Sequence, residues 1–170
     1  HHTKDVLRTA TALCVAEGIS GTLAKLVKTA ALLHDSGFVT NQHSGHEIQG
    51  CIIAKNVLPD FGYTIDEIEE ICNMIMATKI PQSPKSLVEQ ILCDADLDYL
   101  GRPDFYSIGR SLFDEMSSYH LINDEKAWNR IQISFLSAHR YHTRTNQELR
   151  EPVKRAYLQE LQALVATYDQ

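Results

Sequence analysis

Residues 23–37 read LAKLVKTAALLHDSG and show the pattern that runs through most of the chain. Their apolar side chains recur at steps of three and four residues, which places them on one face of a helix. These residues are Leu23, Leu26, Val27, Ala30, Ala31 and Leu33. Gly37 closes the segment, because glycine favours the backbone conformation that ends a helix. The pair His34-Asp35 is therefore predicted to lie at a helix end.

The same spacing recurs from the first residues to the last. No stretch combines strict alternation with enough β-branched residues to predict a strand. We therefore predict an all-α fold, a single helical bundle of about eight helices. The predicted helices cover residues 3–17, a second ending at Gly37, 43–57, 64–79, one from Ser83 or Ser86 to Leu100, 103–120, 123–139 and 146–166.

Two of these boundaries rest on specific local chemistry. Thr64 and Glu67 have the spacing of a capping box, in which each side chain binds the backbone N–H of the other residue. Pro59 follows Leu58 and prevents the third helix from continuing, because proline lacks the N–H that the helical ladder needs.

The chain has 170 residues, of which 44% are apolar and 22% are charged, as in a globular domain of ordinary size. We predict one folding unit spanning residues 1–170. Because the chain begins at His1 rather than Met, we expect it to be truncated at its N-terminus or excised from a longer protein. Its four cysteines are far apart, unlike the close pairs of zinc sites, which predicts buried free thiols.

The sequence also limits the partners of this protein. No stretch approaches the roughly 18 apolar residues of a membrane span, and no export signal opens the chain, so we expect a cytoplasmic protein without a membrane partner. A net charge of −6 argues against duplex nucleic acid, which requires clustered Lys and Arg. It remains compatible with a small phosphorylated ligand, because a metal ion reverses the local charge. A homo-oligomer is compatible with this sequence.

Histidine and aspartate residues form the chemically informative pattern: His2 near the start, the pair His34-Asp35, and an acidic cluster between Asp94 and Asp98. His34 lies eleven residues after Leu23 on the same face, so it is directed toward the interior. A buried carboxylate at Asp35 would be costly unless a cation compensated it. Imidazole together with carboxylate predicts a divalent metal, with Mn, Fe, Co, Ni, Zn and Mg as candidates.

With these residues in place, the sequence resembles the HD superfamily of metal-dependent phosphohydrolases over roughly residues 2–110. The matching segments are His2-Thr3-x-x-Val6, Leu32-Leu33-His34-Asp35-x-Gly37 and Cys93-Asp94-Ala95-Asp96-Leu97. The resemblance implies the helical fold of this superfamily and a metal held by His2, His34, Asp35 and Asp96. It also implies that Asp35 acts in catalysis, by orienting the attacking water or by bridging to a second ion.

A second metal ion is a further implication of the resemblance. His46 resembles an additional histidine of the two-metal members of the superfamily, and His43 lies one turn earlier. The next histidine position of those members reads Thr78-Lys79 here. We therefore expect one tightly held ion, with His46 as candidate ligand for a second ion and as catalytic residue. Lys79 is predicted to bind a substrate phosphate as a point charge.

Several assignments have alternatives at this point. Asp94 is the fallback for Asp96, because helical spacing cannot choose between them. His2 is alternatively the remnant of an affinity tag. Residues 137–143 contain His139, His142 and Thr143, which form either a phosphate or base pocket or a polar turn between helices.

The predicted activity is hydrolysis of a phosphomonoester or a phosphodiester, in a nucleotide or a cyclic nucleotide, by metal-activated water. The predicted partner is accordingly a small phosphorylated molecule. The alternative from another class is a regulatory domain that binds metal and nucleotide without hydrolysis. Turnover distinguishes the two, because only the enzyme releases product.

Overall fold

The structure, a computed structural model, describes residues 1–40, 45–122 and 124–168. These residues form helices and contain no strand, which confirms the predicted all-α fold. The α-helices are α1 (His2–Ala16), α2 (Gly21–Leu33), α3 (His46–Val57), α4 (Ile65–Ala77), α5 (Leu87–Asp96), α6 (Phe105–Ser118), α7 (Glu125–Ala138), α8 (Arg144–Leu149) and α9 (Glu151–Ala166). Short 3₁₀ helices cover Ser36–Thr40, Leu58–Phe61 and Asp98–Gly101.

The chain folds into two compact units. Unit 1 contains His1–Leu97 and the later segment His142–Thr145, and unit 2 contains Asp98–Tyr141 and the chain from Asn146 onward. The prediction that residues 1–170 form a single domain stays a prediction. No helix in the described part of the chain has both the length and the apolar composition needed to cross a membrane.

Unit 1 is built around the facing sides of α1, α2, α4 and α5, which pack against one another. Its fully buried apolar side chains come from all four helices, and they include Ala10, Val27, Ala30, Ile71, Met74, Ile75, Ile91 and Leu92. Each large side chain among them contributes about 1.5–3 kcal/mol by leaving water. The four cysteines are buried free thiols, as the sequence predicts.

The ends of α4 and α5 follow from local sequence. The backbone N–H of Glu67 donates to Thr64 Oγ1 at 3.2 Å, and the N–H of Thr64 donates to Glu67 Oε2 at 2.8 Å, so the predicted capping box is confirmed. Ser86, rather than Ser83, caps α5 by accepting from the N–H of Glu89 at 3.4 Å. The caps fix where each helix begins and therefore which residues reach its far end.

Unit 2 contains α6, α7, the part of α8 from Asn146 onward, and α9, and it includes a buried carboxylate. Asp98 accepts from Arg150 Nε at 2.8 Å and from Arg102 Nη1 at 3.4 Å. The prediction of a single helix over residues 146–166 is wrong. The helix is interrupted at Arg150, two residues before Pro152, which lacks a backbone N–H. The seventh helix begins at Glu125, and the expected cap Asn123 lies outside the described residues.

Candidate metal centre

Three helix termini of unit 1 bring the predicted ligands together. His2 is the first residue of α1, His34 is the C-cap of α2, and Asp96 is the last residue of α5. Because α1 packs against both α2 and α5, these termini meet at one end of the unit. Residues separated by more than ninety positions in the chain thus become neighbours.

The donor atoms of these residues lie within a few ångströms of one another. Asp96 Oδ1 is 3.0 Å from His2 Nε2 and 3.4 Å from His34 Nε2, and the two Nε2 atoms are 3.4 Å apart. Asp35 Oδ2 lies 3.5 Å from His2 Nε2 and 3.4 Å from His34 Nε2. We call His2, His34, Asp35 and Asp96 the metal cluster.

Within the metal cluster, His2, His34 and Asp96 fit a divalent cation, and Asp35 lies beside the two histidines. Donor atoms that bind one ion at about 2.1 Å lie about 3.0–3.4 Å from each other, which matches the separations above. His34 Nδ1 is 2.9 Å from the carbonyl oxygen of Ala31 and must carry a proton, because a carbonyl can only accept. Its Nε2 is therefore the nitrogen directed at the cluster, and the backbone fixes the ring orientation as in many metal sites.

The electrostatics of the metal cluster also favour a cation. Burial lowers the pKa of His34, but hydrogen bonds to Asp35 and Asp96 outweigh it and raise this pKa to about 10. Burial raises the pKa of Asp96, but hydrogen bonds from His2 and His34 outweigh it and lower this pKa to about 2. The two carboxylates thus hold a positive charge between them, which is a proton when no metal is bound.

Asp35 also connects the metal cluster to the start of α3. Its Oδ2 faces the two histidines, whereas its Oδ1 lies 3.7 Å from His46 Nε2. The same His46 nitrogen is 3.5 Å from Oε1 of Glu47, whose side chain is buried. Sequence reasoning missed Glu47, although its position directly after His46 in the first turn of α3 was a usable signal.

Gly37 and Phe38 form the wall beside His46. Phe38 stacks on the His46 imidazole with ring centroids 4.0 Å apart and an interplanar angle of 17°, and it remains 47% exposed. A Cβ on Gly37 would overlap the backbone carbonyl of His46, so only glycine permits this close packing of the 3₁₀ helix against α3. The prediction that Gly37 ends the second helix is wrong, because α2 ends at Leu33 and Gly37 lies within the 3₁₀ helix Ser36–Thr40.

The fallback ligand Asp94 points elsewhere in unit 1. This fully buried carboxylate accepts from the backbone N–H of His142 at 2.8 Å, and from the N–H and hydroxyl of Thr143 at 2.8 Å and 2.6 Å. The segment His142–Thr145 is thereby fastened to α5. The geometry gives Asp94 a structural partner in this segment and brings Asp96 to the histidines instead. His139, which was grouped with His142 and Thr143, belongs to unit 2.

The remaining predicted residues lie apart from the metal cluster. Lys79 follows the C-cap of α4 and is exposed, and within the described residues no contact joins it to the cluster. Thr78 is buried and its hydroxyl donates to the carbonyl of Ile75 at 2.8 Å, so the side chain is directed back along α4. The role of Lys79 in phosphate binding stays a prediction. His43 lies outside the described residues.

Comparison with known proteins adds to this geometry. A family model for the HD domain matches residues 1–98, which include the whole metal cluster. A predicted HD superfamily hydrolase from an uncultured Thermotogales bacterium has a similar crystal structure, with a TM-score of 0.62 and 23% sequence identity. The match covers 98% of this chain and 79% of that one, and at this identity it shows a shared fold. No curated protein matches the chain.

Proposed function

The chain belongs to the HD-domain family, and on this premise we propose that it is a metal-dependent phosphohydrolase that cleaves a phosphomonoester or phosphodiester bond of a nucleotide. The observation that carries the proposal is the metal cluster, in which the two histidine Nε2 atoms and the Asp96 carboxylate lie 3.0–3.4 Å apart. Asp35 completes the set with an oxygen 3.4–3.5 Å from both imidazoles. Two imidazoles and two carboxylates suit a divalent transition metal better than calcium, which prefers oxygen ligands alone.

The positions of the two Asp35 carboxylate oxygens favour a hydrolytic role for the metal over a structural one. A bound divalent cation supplies Lewis-acid activation of water and of a phosphoryl oxygen near neutral pH. Asp35 is partly exposed, so its Oδ1 can accept a hydrogen bond from a water that approaches the site. His46, 3.7 Å from this oxygen, can then take up or return a proton. Oε1 of the buried Glu47 lies 3.5 Å from the same imidazole nitrogen, so Glu47 is placed to orient the ring.

A turnover assay tests this proposal. Tag-free protein is supplied with Mn²⁺, Co²⁺, Fe²⁺ or Mg²⁺ and with nucleoside monophosphates and 3′,5′-cyclic nucleotides, and the products are separated by chromatography. We expect metal-dependent hydrolysis of at least one substrate class, with a loss of about 10³-fold or more in Asp35→Ala. Asp60→Ala, an exposed aspartate in the 3₁₀ helix Leu58–Phe61, is the matched control and should keep the activity.

The same assay separates the enzyme from a regulatory domain. Metal and nucleotide binding by wild type without any product would reject hydrolysis and favour the regulatory function. Phosphate release from nucleoside monophosphates would identify a phosphatase. Conversion of cyclic nucleotides to monophosphates would identify a phosphodiesterase.

A further inference from the structure

We propose that the exposed face of Phe38 is the surface on which the base of a nucleotide stacks. This inference rests on the proposed function, because it places the phosphate of that nucleotide at the metal cluster. It adds a specificity-determining residue that lies outside the predicted ligand set. The inference concerns recognition of the base and is independent of which phosphoester bond is broken.

The geometry of the Phe38 ring leaves one face for a ligand. One face lies against the His46 imidazole, nearly parallel to it, at a centroid distance of 4.0 Å. The side chain is nevertheless 47% exposed, so much of the ring surface that is not against His46 is open to a ligand. A planar, polarisable face of this kind binds any nucleobase, because every base presents a π surface.

Phe38 is connected to the metal cluster through one residue, His46. His46 Nε2 is 3.7 Å from Asp35 Oδ1, and Phe38 stacks on the same imidazole. In a nucleoside monophosphate, a single ribose separates the phosphate from the base. The proposal therefore places the phosphate at the cluster and the base on Phe38.

The backbone around Phe38 holds the ring in place. The N–H of Phe38 donates to the carbonyl of Asp35 at 3.1 Å, which links the two residues directly. Gly37 packs so closely on the carbonyl of His46 that a Cβ would not fit. A preorganised aromatic surface loses little entropy when a ligand binds, so less of the stacking energy is offset.

A purely structural role for Phe38 makes a different prediction. If the ring served only to hold His46 in position, its removal would affect all phosphate ligands alike. If it stacks on the base, the effect depends on whether the ligand has a base. Comparing a nucleotide with the same molecule without its base therefore separates the two roles.

The experiment compares adenosine 5′-phosphate with ribose 5-phosphate in wild type, Phe38→Leu and Phe38→Trp. Leucine keeps an apolar side chain but removes the π face, and tryptophan keeps it. Val39→Ala is the matched control, because Val39 is the next residue of the same 3₁₀ helix and is 78% exposed. The constants compared are KM for a ligand that is hydrolysed, Ki for one that is not, and dissociation constants from calorimetry with metal present.

We expect wild type to bind adenosine 5′-phosphate about 10-fold or more tightly than ribose 5-phosphate. This ratio should fall toward one in Phe38→Leu and persist in Phe38→Trp and Val39→Ala. A ratio in Phe38→Leu equal to that of wild type, with or without a common loss for both ligands, would overturn the inference. Failure of the proposed function would look different, since it would abolish turnover while the calorimetric ratio remained measurable.

Discussion

His34 is 1% exposed, and its Nε2 lies 3.4 Å from a carboxylate oxygen of Asp35 and 3.4 Å from one of Asp96. The sequence predicted its inward direction from a face shared with Leu23, but Leu23 is 46% exposed, and His34 lies instead on the buried face of Val27 and Ala30. The sequence could not predict that its Nδ1 binds the carbonyl of Ala31, because that contact depends on the ring orientation in the folded chain. His34 therefore combines a predictable position with hydrogen bonds that only the structure reveals.

Removal of the metal should make the stability of this protein depend on pH through His34. Its pKa is raised from 6.5 to about 10, because the hydrogen bonds to Asp35 and Asp96 outweigh burial, which lowers it. A raised pKa stabilises the folded state fully below pH 6.5, and this stabilisation is lost as the pH rises through about 10. Urea unfolding of chelator-treated protein between pH 6 and about 10.5 should show the loss.

The variant His34→Asn should remove this part of the pH dependence, whereas the exposed His120→Asn should retain it. Metal affinity should change in the opposite direction and rise over the same pH range, because the ion displaces the His34 proton. Equal pH profiles for wild type and His34→Asn would show that His34 is not held protonated by the two carboxylates.

Helix ends position the metal cluster, and sequence predicts some of them well. The capping box of Thr64 and Glu67 is local and was recognised from four residues. Helical spacing could not choose between Asp94 and Asp96, because both lie on α5 two positions apart, and only the family resemblance favoured Asp96. The choice depends on the segment His142–Thr145, whose contact with Asp94 spans nearly fifty residues and leaves no periodic signal.

The close packing of the 3₁₀ helix Ser36–Thr40 on α3 should make Gly37→Ala destabilising. The added Cβ would overlap the backbone carbonyl of His46, so one of the two helices must move. We expect a loss of about 1–3 kcal/mol in the free energy of unfolding, together with weaker activity because Asp35 and His46 separate. Urea unfolding and the turnover assay check the two effects.

Gly109→Ala provides the control, since its Cβ would meet only the end of the flexible Gln132 side chain. Alanine is favoured over glycine inside a helix by about 1 kcal/mol, so this variant should be neutral or slightly more stable. If Gly37→Ala were as stable and as active as Gly109→Ala, the packing argument at His46 would be wrong.

At the scale of the whole molecule, the sequence predicts the helical class but not the division into two units. Apolar spacing of three and four residues identifies helices wherever it occurs, which explains the success of the all-α prediction. It carries no information on which helices pack together. Unit 1 contains the metal cluster and nearly coincides with the residues that match the HD-domain model. The proposed activity therefore belongs to unit 1.

The metal content of purified, tag-free protein tests the central claim most directly. It is measured by elemental mass spectrometry after dialysis against Mn²⁺, for wild type, Asp96→Asn and Asp94→Asn, with circular dichroism to verify folding. We predict one tightly held ion per chain in wild type and in Asp94→Asn, and none in Asp96→Asn. Metal retained by folded Asp96→Asn, or absent from wild type, would contradict the proposed metal cluster.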